Sequence, residues 1–140
     1  MYNFIIDSVS NIPDNIMIET VEQKYNITFP HKLKEYYSLY NGVPIKLCTF
    51  IINDTEYEVN RILPLISTSL SVDSIAQNDR IDNFISNEWF PFAQDRGGDI
   101  YYWNTNNETI ALIRCDNIEN PIKICNNITD FFHIMNNNIR

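Results

Sequence analysis

Residues 89–103 read Trp89-Phe-Pro-Phe-Ala-Gln-Asp-Arg-Gly-Gly-Asp-Ile-Tyr-Tyr-Trp103, and the fold class turns on this stretch. Its first part, Trp89-Phe-Pro-Phe-Ala93, is apolar and extended. Gln94-Asp-Arg-Gly-Gly98 supplies a turn, because glycine reaches backbone angles that other residues avoid. Residues 99–103 then form a strand rich in aromatic side chains. Working outward, Asn104-Thr-Asn-Asn107 is a hairpin turn, residues 109–115 run back, and residues 121–125 add another strand.

Two more β-rich runs lie upstream, at 46–52 and 56–63, joined by Asn53-Asp-Thr55 as a hairpin signal. Tyr57 and Val59 alternate with Glu56, Glu58 and Asn60, so one face of that run is wet and acidic. Pro64 ends the pairing.

Four segments carry helical spacing. Asp14 caps a helix from Asn15 to about Asn26, with Met17, Ile18, Val21 and Tyr25 on its apolar face and Glu19, Glu22 and Lys24 towards the other side. Phe29-Pro30 opens a second helix, since a first-turn proline sacrifices no hydrogen bond. Leu33, Tyr36, Tyr37 and Tyr40 form its apolar face, and Asn41-Gly42 ends it. Residues 71–85 read as a third helix with Val72, Ile75, Ile81, Phe84 and Ile85 as its stripe. Thr129 caps a last helix bearing Phe131, Phe132, Ile134 and Met135. The predicted order is α-α-β-β-α-β-β-β-β-α. Antiparallel hairpins with segregated helices mean an α+β fold, with one antiparallel sheet of about 5–6 strands flanked by helices. The chain, 1–140, reads as a single domain.

The net charge is −8. Nucleic acid and anionic membrane both demand Lys and Arg, so neither is an expected partner. A basic protein is, because opposite fields speed encounter and suppress wrong docking. The first residues, Met1-Tyr-Asn-Phe-Ile-Ile-Asp7, lack the basic region of a signal peptide, and no apolar run reaches the roughly 20 residues that span a bilayer. Cys48, Cys115 and Cys125 are odd in number and sit in strand-like runs, with Cys115 and Cys125 on strands that could be neighbours. Buried free thiols in a reducing cytoplasm are the expectation.

The search for chemistry yields little that looks catalytic. His31 and His133 lack a second ligand at helical spacing, the cysteines lack metal or redox spacing, and the 3 glycines of the chain make no phosphate cradle. No metal or cofactor is expected. Asp95 and Asp99 flank Arg96-Gly97-Gly98 and could act as an acid–base pair if burial split their pKa values. The competing reading makes them turn and strand-start residues. Trp89, Tyr101, Tyr102 and Trp103 form an aromatic cluster in which Asp99, Tyr101 and Trp103 share one strand face, while Ile100 and Tyr102 share the other. If the second set is buried, an acidic-aromatic stripe faces out, a composition found in binding hot spots. In the rival arrangement Tyr101 and Trp103 are core and Tyr102 is exposed. The candidate contact residues are Glu56, Glu58, Asp95, Asp99, Tyr101 and Trp103. The first two join the stripe only if the two hairpins adjoin.

Three blocks resemble a known family. Val21-Glu22, Ile27, Phe29-Pro30, Leu33, Tyr36-Tyr37 and Asn41-Gly42 are similar to the opening signature of the SUKH superfamily, with Phe29 where the family usually has leucine. Pro91-Phe-Ala93 followed by Gly97-Gly98-Asp99 resembles its central segment, and residues 128–134, with paired phenylalanines, its closing helix. The resemblance implies an α+β fold and a group dominated by bacterial immunity proteins, with cell-wall assembly regulators in another branch and no enzymatic activity known for it. The function it implies is non-catalytic: binding and neutralising a basic toxin domain, such as a nuclease, by occlusion. The alternative it leaves open is a regulatory scaffold.

Overall fold

The computed structural model describes residues 2–6 and 15–140. The expected cap at Asp14 lies outside them. Helix α1 spans Asn15–Tyr25 and α2 spans His31–Tyr40. Strands β1 (Cys48–Ile52), β2 (Thr55–Val59) and β3 (Arg61–Ile62) follow, then α3 (Val72–Asp82). Strands β4 (Trp89–Gln94), β5 (Ile100–Asn104), β6 (Ile110–Ile113) and β7 (Ile122–Cys125) precede α4 (Ile128–Asn137). The architecture is α+β, and all strand pairs are antiparallel.

The expected run at 56–63 serves two sheets. β1 and β2 form a two-stranded hairpin, and β3 to β7 form a five-stranded sheet in sequential order. The hairpin turns on Asn53 and Asp54, both at positive φ (50° and 66°), which suits the tight two-residue turn that matches strand twist. Thr55 therefore pairs with Ile52 instead of belonging to the loop. After Val59 the chain steps across at Asn60, whose N–H donates to the Gln94 carbonyl at 2.9 Å, and β3 joins β4. This short strand is the one element absent from the predicted order. It is two residues long and runs into Pro64. The other sheet edge, β7, follows Pro121 and carries an exposed Lys123.

One face of the large sheet presents Phe90, Phe92, Tyr101, Trp103, Ile110 and Leu112 to the main core. Ile18 and Val21 of α1, Leu33, Tyr36 and Tyr37 of α2, and Phe131, Phe132 and Met135 of α4 close over it. Burying each such side chain contributes about 1.5–3 kcal/mol. A bulge between Pro91 and Ala93 lets the proline, which has no N–H to give, sit within the ladder. The other face holds a smaller cluster: Ile85, Tyr102 and Ile113, with Trp89, Ile100 and Ile118 against it.

Two local expectations need correction. Ser71 caps α3 with a reciprocal Ser71–Ser74 capping box, but the helix stops at Asp82, where Asn83 turns left-handed at φ 56°. Ile81 and Phe84, expected in its apolar stripe, are 70% and 67% exposed, while Ile85 is buried as expected. Asn127, not Thr129, caps α4: its side chain accepts the Asp130 N–H at 2.8 Å.

Candidate functional site

The step at Asn60 lays β2 beside the turn between β4 and β5, so the two hairpins adjoin. Glu58 is the junction. Its carboxylate accepts the Arg96 backbone N–H at 3.0 Å and the Arg96 guanidinium at 2.8 Å (Nη2) and 3.1 Å (Nε). Its carbonyl accepts the Tyr101 hydroxyl at 2.7 Å. A forked guanidinium–carboxylate pair fixes geometry as well as charge. The Arg96 cation holds the Glu58 carboxyl below the ordinary glutamate range, against the smaller opposing effect of burial.

The turn itself is braced by its acids. Asp95 Oδ1 accepts the Asp99 N–H at 2.9 Å, and Gly98 takes φ 96°, a conformation costly for any side-chain-bearing residue. Asp99 accepts from Arg114 Nη1 and from the Cys115 N–H, both at 3.0 Å. Burial pushes the Asp95 carboxyl up; the Asp99 N–H pulls it back, and the nearby carboxylates of Asp99 and Glu58 add to the rise. The Arg114 guanidinium lies 5.9 Å from the Tyr57 ring centroid. Together Glu56, Tyr57, Glu58, Asp95, Asp99 and Arg114 line an open basin of about 280 Å³.

Four of the six candidate contact residues, Glu56, Glu58, Asp95 and Asp99, thus come together. Tyr101 and Trp103 do not join them at the surface; their exposures are 0% and 1%. Trp103 packs against Phe29 and Phe90, and Tyr101 against Phe131. The rival arrangement holds for Tyr101 and Trp103, which are core, but not for Tyr102, which is only 3% exposed. Both faces of β5 are covered, so no outward aromatic stripe forms. Sequence reasoning missed Arg114 and Tyr57 as members of the basin, and Arg96 as the cation that holds Glu58 beside it. Arg96 stood in plain view inside the Gly-rich turn, but its partner is 38 residues away. The three thiols are free, and Cys115 and Cys125 are not neighbours: Cys125 pairs with Ile110 at one end of β6, whereas Cys115 follows the other end.

The residues that carried the resemblance brace the frame. Glu22 accepts the Phe29 N–H at 2.9 Å and meets Lys34 at 3.3 Å, tying α1 to the start of α2. Asn41 accepts the Leu65 N–H at 2.9 Å, and Gly42 turns at φ 79°. Among the described residues, no helix is long and apolar enough to cross a membrane. A family model described as "SMI1 / KNR4 family (SUKH-1)" matches residues 13–133. No curated protein matches the chain significantly.

Proposed function

The chain belongs to the SMI1 / KNR4 family (SUKH-1), and from that premise we propose that it is a non-catalytic protein-binding domain that neutralises a basic toxin by occluding its working surface. One observation carries this reading: four carboxylates from two hairpins converge on a single basin in a protein of net charge −8. Such a surface steers a cationic partner and can stand in for the phosphates of a nuclease substrate. Asp95 and Asp99 support binding over catalysis. Each is engaged in holding the turn, Asp95 on a backbone N–H and Asp99 on Arg114 and Cys115, so neither is poised as a free acid or base. The setting that fits this work is the cytoplasm of a cell that makes the toxin.

Co-expression with the toxin encoded beside this gene tests the reading. Glu56 is exposed, whereas Asp95 braces the turn, so charge reversal is aimed first at Glu56. The wild-type chain is expected to restore growth and to co-purify with the toxin, and Glu56→Lys to weaken both. Failure of the wild type to protect, with capture of a housekeeping protein instead, would shift the assignment to the regulator-like branch. Turnover of a substrate, abolished by Asp99→Asn, would overturn the non-catalytic reading.

A further inference from the structure

A second surface lies on the far side of the large sheet. Because α3 stops at Asp82 and Asn83 turns left-handed, Phe84 is left at 67% exposure beside the buried Ile85, next to Ile81, which is 70% exposed on the last turn of the helix. Between this corner and the segment after β6 runs a groove of about 470 Å³, floored by Ile85, Ile100, Tyr102 and Ile113. It continues into a second depression of about 370 Å³ toward Trp89 and Pro121, sharing Phe84, Ile85, Ile113 and Ile118.

The charged residues lining it are all of one sign. Asp79 and Asp99 line the first part, Glu88 and Glu119 the second, and no Lys, Arg or His lines either. Asp79 accepts the Tyr102 hydroxyl at 2.9 Å. Among the described residues, Asp79, Glu88 and Glu119 have no salt-bridge partner. Asp99, which also lines the basin, is paired with Arg114, and the basin's Glu58 is likewise answered by Arg96.

We propose that this groove seats an apolar segment of a protein partner flanked by lysine or arginine, with the aliphatic side chains on the Ile–Tyr floor and the cations against Asp79, Asp99, Glu88 and Glu119. Apolar area supplies the affinity and the carboxylate rim selects the flanks. A second copy of this chain is a poor occupant, because each carries −8 and would set carboxylates against carboxylates. An anionic lipid surface is repelled for the same reason. The inference goes beyond the proposed function, since the chemistry of the groove holds whether or not the partner is a toxin.

Cys115 lines the groove and is exposed, whereas Cys48 is buried and Cys125 half-buried, so its alkylation rate reports occupancy. The probe is a synthetic amphipathic peptide of leucine and lysine, with a leucine–glutamate counterpart as control. The lysine peptide is expected to slow alkylation of Cys115 by about tenfold and the glutamate peptide to leave it unchanged. Phe84→Lys, at an exposed position, should abolish the protection, while Glu56→Lys in the basin should keep it. No protection by the lysine peptide, or equal loss in both variants, overturns the groove and leaves only diffuse attraction. In co-expression, rescue lost with Glu56→Lys but intact with Phe84→Lys also sinks the groove as a partner site while the proposed function stands. Protection of Cys115 in a protein that binds no toxin gives the converse result.

Discussion

Along β5, Tyr101 and Trp103 turn toward α1, α2 and α4, while Ile100 and Tyr102 turn away from them. The residue types on the two sides are alike, but what covers them is not. On the helix side thirty of the described residues form one buried cluster, stitched by ring contacts such as Phe92–Phe131 at 5.2 Å and Tyr36–Phe132 at 5.2 Å. On the far side three buried residues are sheltered by a helix corner and a loop, and a groove remains. The difference teaches that strand periodicity sorts residues into faces but does not say how each face is roofed. The roof decides whether an apolar face is a core or a binding surface.

The largest effect should separate the two faces directly. Phe92→Ala on the helix side is expected to cost about 3–5 kcal/mol, read by chemical denaturation, because a closed core leaves a cavity that relaxes only partly. A loss below about 1 kcal/mol would mean the two sides are equally loose. Next comes a gain. The buried Tyr36 hydroxyl has no hydrogen-bond partner among the described residues, so Tyr36→Phe should stabilise the protein by about 1 kcal/mol. Destabilisation would show that the hydroxyl is in fact satisfied.

A pH series sharpens the contrast, since Glu58 on the basin and Asp79 on the groove are shifted in opposite directions. Glu58 faces Arg96 and, at longer range, Arg140, and its carboxyl is lowered. Its contribution is present above the ordinary glutamate range and fades as pH falls through the lowered value. Asp79 is raised by burial, with the Tyr102 hydroxyl and Arg80 opposing and Asp82 adding to the rise. The native state holds the Asp79 proton more tightly than the unfolded chain does, so the stability it contributes in acid is lost as pH rises through the raised value. Glu58→Gln should therefore be less stable than wild type at neutral pH and Asp79→Asn more stable. Both differences should be within about 1 kcal/mol and shrink in acid. Parallel rather than diverging profiles would refute the assignment. The smallest effect is on the groove lip: Phe84→Ala should change the melting free energy by no more than about 0.5 kcal/mol while weakening partner capture.

Much of this was legible in advance where a local signal was decisive. Pro30 and Asn41-Gly42 bound α2 as read, and the turn between β4 and β5 falls where expected but one residue later, at 95–99, with Gln94 pairing in β4. The acids of the basin were legible one by one, but their meeting depends on Asn60 carrying the chain from one sheet to the other, a tertiary event with no local mark. The groove was hidden by a plausible pattern. Ile81 and Phe84 continue the helical spacing of α3, and only the left-handed turn at Asn83 throws Phe84 outward. Asn can adopt that conformation without having to, so the sequence leaves the stopping point open. The cap of α4 shows the same limit, because Asn127 and Thr129 are both competent and the choice rests on where the first turn packs.

The borders of the large sheet carry one more consequence. With two residues before Pro64 on one side, and four residues after Pro121 bearing a lysine on the other, neither rim offers a long row of unpaired amides. Another chain has little of this sheet's backbone to zip onto, so fibre-like stacking through it is discouraged even at high concentration. A partner of the proposed kind, docked on this sheet, would be held through side chains, which can change one at a time without disturbing the ladder beneath.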